Sequence, residues 1–262
     1  MEKRSLEDLV DIMAKLRGNP GCPWDKAQTH ETLKPYIVEE AYEVIDAINR
    51  KNTQDLIEEL GDLLLQIVFH CHLGKERGEF DIGDVIQGVC EKMIRRHPHI
   101  FGDVTVDGTG EVLKNWEDIK REEKDIKSQT QSMKNLPNTL PALMEAFKVQ
   151  EKAARVGFDW ESVDGALDKV YEELDELKEV YNGGIGDKIT EEIGDLIFAC
   201  VNVARFLEVE PELALKDAVK KFIRRFKYVE EAAAKSDRSL HEMSLQEMDK
   251  LWDQGKKLEK KL

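Results

Sequence analysis

The chain repeats itself with a period of 133 residues. When residues 39–68 are laid over residues 172–201, ten of the 30 positions carry the same amino acid without a gap. Unrelated chains of ordinary composition would share about two. The repeat is too long for a solenoid of short units. It therefore predicts two domains that arose by duplication of one unit.

Both halves have the sequence pattern of helices. The 262 residues include only 17 glycines and 7 prolines, and apolar residues recur every three to four positions. No stretch alternates between polar and apolar residues for long enough to predict a strand. We predict an all-α fold, a tandem repeat of two helical-bundle domains over residues 1–123 and 139–262. A polar linker over residues 124–138, rich in Ser, Gln, Asn and Lys, would join them.

Local patterns predict where several elements begin. Ser5, followed three residues later by Asp8, has the form of a helix capping box. Residues 18–25, GNPGCPWD, are rich in turn residues and predict a loop. Pro35 suits the first turn of the next helix. Residues 63–69 are apolar almost all round, which predicts a helix buried on several sides.

Acidic residues are the most informative part of the repeat. Each half contains E-E-x-x-E, then 15 residues, then E-x-x-D. Residues three or four apart share one face of a helix, so antiparallel packing of two helices could gather four carboxylates in each half. The two sets are Glu40, Glu43, Glu59 and Asp62 in the first half and Glu173, Glu176, Glu192 and Asp195 in the second.

Such a set of carboxylates implies a cation. Like charges at this separation repel unless some acids are protonated or a cation binds. Oxygen-only ligands select Mg²⁺, with Mn²⁺ as a possible substitute, and Mg²⁺ keeps positions open for phosphate oxygens. A di-metal oxidase would need Glu-x-x-His on two helices, and no histidine here has Glu three residues before it. The remaining alternative is a helical scaffold with a solvated acidic face and no metal.

Basic and aromatic pairs recur after the acids in both halves. A Lys and an Arg four residues apart share a helix face and suit phosphate binding. A Trp followed four residues later by Lys could stack on a base, although ordinary packing would explain it as well. These candidates are Lys92, Arg96, Trp116 and Lys120 in the first half and Lys221, Arg225, Trp252 and Lys256 in the second.

Charge and composition exclude several classes of protein. The chain has 39 basic and 54 acidic residues and a net charge of −15, which opposes general binding to nucleic acid. The sequence contains no run of 18 apolar residues, so it predicts no membrane-spanning helix. The first ten residues carry charges where a signal peptide needs an apolar stretch, so we predict a cytoplasmic protein. The four cysteines form no CxxC pair, which argues against a zinc knuckle or a disulfide framework.

Taken in order, these motifs resemble the MazG family of nucleoside triphosphate pyrophosphohydrolases. The resemblance covers essentially the whole chain, which is similar to the two-domain bacterial form of the family. It implies an all-α pyrophosphatase fold, Mg²⁺-dependent hydrolysis of a nucleoside triphosphate to the monophosphate and pyrophosphate, and a homodimer with sites assembled from helical bundles. The segments that carry it are residues 21–25, 39–43, 58–62 and 95–102 in the first half and 156–160, 172–176, 191–195 and 220–226 in the second.

The resemblance also implies roles for individual residues. The eight acids would bind metal, and the basic and aromatic candidates would contact the nucleotide. It favours the second half as the catalytic one. The spare acid of each E-E pair, Glu172 or Glu39, could act as general base, or the metal alone could lower the pKa of the attacking water.

The substrate range stays open at this point. Broad, house-cleaning hydrolysis of nucleoside triphosphates is the expected function. The alternative is a specialist for dUTP, dCTP or a modified nucleotide, with the first half a non-catalytic nucleotide-binding or regulatory module.

Overall fold

A computed structural model describes residues 3–181, 186–236 and 238–259. Within these ranges the chain forms thirteen α-helices and one short 3₁₀ helix, Leu240–Glu242, and it contains no strand. The all-α prediction is therefore confirmed. The chain divides into two compact units, Met1–Lys120 and Arg121–Leu262.

A long helical hairpin dominates the first unit. Its two arms, α3 and α4, pack against each other, and α1 packs on α4 to close a small apolar core. Asn52 caps α4 by accepting hydrogen bonds from the backbone N–H groups of Gln54 and Asp55. The helices are α1 (Leu6–Arg17), α2 (Pro23–Ala27), α3 (His30–Arg50), α4 (Thr53–Arg77), α5 (Ile82–Arg96), α6 (Pro98–Phe101) and α7 (Thr109–Glu123). The core residues are Met13, Leu33, Val68, Phe69 and Leu73.

The structure confirms one predicted helix start and corrects two other expectations. Ser5 and Asp8 form the capping box of α1. The expectation for Pro35 was wrong, because α3 begins at His30 and Pro35 lies inside it. The side chain of Thr29 accepts from the backbone N–H of Thr32, so the cap lies upstream of the proline. Residues 18–25 are not wholly a loop, since α2 begins at Pro23, where proline suits the first helical position.

The second unit repeats the hairpin. Here α10 packs along α11, α9 packs on α11 and α12, and α13 packs on α12. Among the described residues, no helix is both long and apolar enough to cross a membrane. The helices are α8 (Gln129–Lys134), α9 (Ala142–Ala154), α10 (Val163–Tyr181), α11 (Gly186–Phe206), α12 (Pro211–Lys235) and α13 (Leu245–Glu259).

The segment predicted as a linker, residues 124–138, is packed in the second unit. It contains α8, which lies against α9. The buried ammonium of Lys152 donates to the hydroxyl of Ser132 at 2.7 Å and ties the two helices together. The two units meet in sequence after Lys120, three residues before the predicted end of the first domain.

Candidate metal and nucleotide site

The second hairpin gathers three of its four predicted metal ligands. Glu173 of α10 and Glu192 and Asp195 of α11 each place a carboxylate oxygen within 4.8 Å of the other two. Glu173 is only 5% exposed, and its Oε2 atom has no hydrogen-bond partner among the described residues. A buried acceptor without a donor, beside two further carboxylates, fits a hard cation better than a hydrogen-bond network.

The first hairpin builds the corresponding cluster. Glu40 and Glu43 of α3 and Glu59 of α4 bring carboxylate oxygens within 4.8 Å of one another. Desolvation and the charges of Asp62 and Glu43 raise the pKa of Glu40. Desolvation and the charge of Glu43 likewise raise the pKa of Glu59. Both shifts follow from desolvation and from the crowding of like charges.

The fourth acid of each set lies at the edge of its cluster. In the second hairpin, desolvation and the charges of Glu173 and Glu192 raise the pKa of Glu176, so it lies within electrostatic reach of them. In the first hairpin, Asp62 has the same relation to Glu40. The spacing in the sequence thus gathers three of the predicted ligands in each half and places the fourth beside them.

Lys169 is a residue that the sequence reasoning missed. Its ammonium lies 2.6 Å from a carboxylate oxygen of Glu173 and 2.8 Å from one of Glu172, and hydrogen bonds to these acids raise its pKa. Its position three and four residues before the two glutamates could have revealed it. At the equivalent position of the first half stands Tyr36, whose ring packs edge-on against Trp24 at 6.0 Å.

The two candidate general bases lie outside the three-oxygen clusters. The side chain of Glu172 is 58% exposed and pairs with Lys169. Glu39 is an exposed residue of α3, and its charge contributes to the raised pKa of Glu40. Both side chains can therefore reach solvent beside a cluster.

A pocket of about 790 Å³ opens beside the second cluster. It lies between α8, α9, α10, α11 and the loop that precedes α10. Its lining includes Glu173, Asp195 and Lys169 together with Trp160 and Asn202. Asn202 follows Asp195 by seven residues on α11, which corresponds to about 10 Å along the helix. The pocket therefore joins the acids to a surface of aromatic and amide groups.

The basic and aromatic candidates of the second half lie apart from this pocket. Arg225 donates to Glu259 at 2.7 Å, and its guanidinium lies 5.9 Å from the ring centre of Trp252. Lys256 pairs with Asp253 at 3.4 Å, and Lys221 is exposed on α12. In the part of the chain that the structure describes, none of the four candidates lines the pocket.

The first half shows a similar pairing of cation and tryptophan. Arg96 and Lys120 lie 5.3 Å and 5.6 Å from the ring centre of Trp116. Lys92 lies four residues before Arg96 on α5 and is half-buried. The structure thus brings an arginine to the repeated tryptophan in both halves.

Comparison with known proteins identifies the family. Residues 28–101 and 161–230 each match the MazG nucleotide pyrophosphohydrolase domain. The chain belongs to the MazG family. Both carboxylate clusters lie within the two matched ranges, so the clusters are part of the MazG domains themselves.

Similar proteins span nearly the whole of this MazG chain. A protein of Thermotoga maritima, named nucleoside triphosphate pyrophosphohydrolase/pyrophosphatase MazG, is 48% identical over 250 residues, which cover 95% of each chain. The nucleoside triphosphate pyrophosphohydrolase of Escherichia coli K12 is 45% identical over 257 residues, or 97% of this chain and 98% of that one. An uncharacterized Bacillus subtilis protein, YabN, is 50% identical over 251 residues, but these cover only 51% of its length.

Proposed function

We propose that this chain is a Mg²⁺-dependent nucleoside triphosphate pyrophosphohydrolase that produces nucleoside monophosphate and pyrophosphate. The observation that carries the proposal is the cluster of Glu173, Glu192 and Asp195, with Lys169 beside it, at the edge of a pocket. Relatives that match over nearly the full chain carry the name nucleoside triphosphate pyrophosphohydrolase.

Each carboxylate set would hold Mg²⁺, or Mn²⁺ in its place. The partnerless buried oxygen of Glu173 supports this fit in the second half. When bound, the ion neutralises charge on the triphosphate and on the leaving pyrophosphate. The proposed ligands are Glu173, Glu176, Glu192 and Asp195 in the second half and Glu40, Glu43, Glu59 and Asp62 in the first.

The chain's own residues would divide the remaining tasks. Lys169, held by two carboxylates, can turn to phosphate oxygens because its ammonium lies at the mouth of the cluster. Glu172 is exposed beside it and could accept the proton of the attacking water, with Glu39 in the corresponding place in the first half. The basic and aromatic candidates would contact the nucleotide; these are Lys221, Arg225, Trp252 and Lys256, and Lys92, Arg96, Trp116 and Lys120.

We further propose a homodimer. In a dimer, the basic and aromatic candidates of one subunit would reach a site on the partner subunit. Its support is an apolar face left exposed on α12, formed by Leu215, Val219, Phe222, Ile223 and Phe226. Their spacing places them on one side of the helix. Sedimentation analysis should give the mass of a dimer, and Ile223→Glu should shift it towards the monomer. A wild-type protein that sediments as a monomer would refute this proposal.

The direct test is product analysis. Purified protein incubated with Mg²⁺ and each nucleoside triphosphate should release monophosphate and pyrophosphate in equal amounts, and a chelator should stop the reaction. Release of diphosphate and orthophosphate would contradict the proposal. A screen over ribo-, deoxy- and modified nucleotides separates broad, house-cleaning activity from a specialist for dUTP, dCTP or a modified nucleotide. The proposed cytoplasmic location needs a separate fractionation experiment.

A second candidate function concerns the first half alone. It keeps the acids, but Tyr36 stands where the second half has Lys169, and Phe69 stands where the second half has Asn202. A domain that keeps the carboxylate cluster but lacks these polar groups is better suited to nucleotide binding or regulation than to catalysis. Turnover that survives loss of the second cluster would argue against this role.

A further inference from the structure

We infer that Gln150, Trp160 and Asn202 form the subsite for the nucleotide base in the second-unit pocket. Trp160 would supply a stacking surface, and the two amides would supply hydrogen-bonding groups. The inference rests on the proposed function for the triphosphate, but it concerns a part of the pocket that the metal ligands do not occupy.

The orientation of the Gln150 amide leaves an acceptor unused. Its Nε2 donates to the backbone carbonyl of Phe198 at 2.8 Å. Because a carbonyl can only accept, the amide nitrogen must face it, and Oε1 must face the other way. Gln150 is 8% exposed, and this Oε1 has no hydrogen-bond partner among the described residues. An N–H group on a ligand would satisfy it, and every nucleobase carries one on its hydrogen-bonding edge.

The orientation of Asn202 is fixed in the same way. Its Oδ1 accepts from Nε of Arg205 at 2.9 Å, and because a guanidinium only donates, the amide nitrogen of Asn202 points away from it. Arg205 also pairs with Asp159, the residue before Trp160. One arginine therefore orients the Asn202 amide and holds the loop with Trp160 against α11.

Trp160 presents an aromatic surface that a flat ring can use. Its side chain lines the pocket and is 48% exposed. Gly165 of α10 lets it pack closely, since a Cβ at that position would lie 3.1 Å from the Cβ of Trp160. A large aromatic side chain left half exposed beside two oriented amides is suited to stacking on a base.

The first half has no room for an equivalent subsite at this position. Phe69 stands at the position equivalent to Asn202 and is 3% exposed in the apolar core. The guanidinium of Arg17 lies 5.5 Å from the centre of its ring. The proposed base subsite therefore belongs to the second half, and the first half provides a matched control.

Calorimetric titration with two probes tests the subsite in the full chain. The first probe is a non-hydrolysable α,β-methylene nucleoside triphosphate with Mg²⁺, and the second is Mg²⁺-tripolyphosphate, which has no base. Trp160→Leu should weaken binding of the first probe about tenfold, as expected from loss of base stacking, and leave the second within about twofold. Asn202→Asp, which keeps the acceptor for Arg205 but removes the amide donor, should act in the same direction.

Trp24→Leu is the control, because Trp24 is a tryptophan of the first half that is also about half exposed, at 51%, and lies in α2. It should leave the binding of both probes unchanged. Equal weakening of both probes by Trp160→Leu, or no weakening of either, would overturn the inference. So would a wild-type protein that binds the nucleotide analogue no more tightly than tripolyphosphate.

The test also separates this inference from the proposed function. If the binding pattern holds but wild-type protein releases no monophosphate and pyrophosphate, the proposed activity fails and the base subsite stands. If turnover occurs but the variants bind both probes normally, the activity stands and the base binds elsewhere.

Discussion

At the scale of single residues, a lysine distinguishes the two carboxylate clusters. Lys169 contacts Glu172 and Glu173 in the second half, whereas Tyr36 at the equivalent position packs on Trp24. A triphosphate carries several negative charges, and an acidic cluster repels it unless cations intervene. The second half therefore holds a permanent cation where phosphate oxygens would approach, and the first half holds a neutral ring.

Lys169→Met tests this difference. We expect the KM for nucleoside triphosphates to rise about tenfold, because a charge-assisted hydrogen bond to phosphate is lost. Mn²⁺ binding in the absence of nucleotide should not weaken, since the lysine no longer competes for Glu173. Steady-state kinetics and calorimetry measure the two effects. Lys178→Met is the control, because it removes a charge paired with exposed Asp175 on the same helix. It should change neither the KM nor Mn²⁺ binding. Weaker Mn²⁺ binding in Lys169→Met would contradict the proposed role of Lys169.

The sequence predicted the acids of the candidate site but not its other polar groups. The acids were visible because duplication preserved them at a fixed spacing. Gln150 and Asn202 belong to no repeated motif, and their roles depend on packing between α9 and α11. The hydrogen bond from Gln150 to Phe198 joins residues 48 positions apart. Such a contact is set by tertiary packing, which periodicity along one helix does not encode.

At the scale of helices, local sequence signals predicted one helix start correctly and missed another. The capping box of Ser5 and Asp8 marks the start of α1. Pro35 does not mark the start of α3, because the Thr29 cap lies six residues earlier. Proline inside a helix removes one hydrogen bond, and packing of α3 along α4 compensates for it.

Close packing near the end of α4 requires a glycine at position 74. Gly74 is buried, and a Cβ there would lie 2.7 Å from ring atoms of Phe80. We expect Gly74→Ala to lower the free energy of unfolding by about 1–3 kcal/mol through overpacking. Gly88→Ala on α5, where a Cβ would meet nothing within 4 Å, should instead raise it by about 0.4–1 kcal/mol. Urea unfolding measures both, and equal effects of the two changes would refute this account of Gly74.

The contact of α3 with α4 contains a pair of histidines that should make the stability of the fold depend on pH. Nδ1 of His30 lies 2.6 Å from Nδ1 of His70, so at least one ring must be neutral at that nitrogen. Desolvation and the charge of His30 lower the pKa of His70, against the opposing effect of Glu31. Folding therefore favours neutral His70. This contribution to stability is present above the ordinary histidine pKa of about 6.5 and is lost as the pH falls below it.

We predict that the unfolding midpoint in urea falls between pH 7.5 and pH 5.5. The fall should be smaller in His70→Gln, which cannot titrate. His241→Gln serves as the control, because His241 is exposed in the second unit and its loss should leave the pH profile unchanged. An identical profile in wild type and His70→Gln would show that another group controls the acid response.

At the scale of the whole molecule, the net charge opposes binding of the proposed substrate. The chain carries −15, yet the proposed substrate is a polyanion. Attraction would therefore be local, through the proposed divalent cations and through Lys169 and Arg205 of the pocket. Duplication predicted two domains and two acid clusters. The neighbours of the acids diverged while the acids stayed, and which of these changes matter depends on the packing around the pocket.

This divergence predicts unequal halves in the intact protein. Glu192→Ala should lower turnover by more than about 100-fold, since even residues that only orient a metal ligand cost about 10–100-fold. Glu59→Ala should retain most of the activity, because Tyr36 and Phe69 stand in the first half where the second half has Lys169 and Asn202. Initial rates with Mg²⁺, with urea unfolding to show that both variants fold, measure the contrast. Equal losses would mean that both clusters catalyse or that each depends on the other, and a larger loss in Glu59→Ala would transfer the active site to the first half.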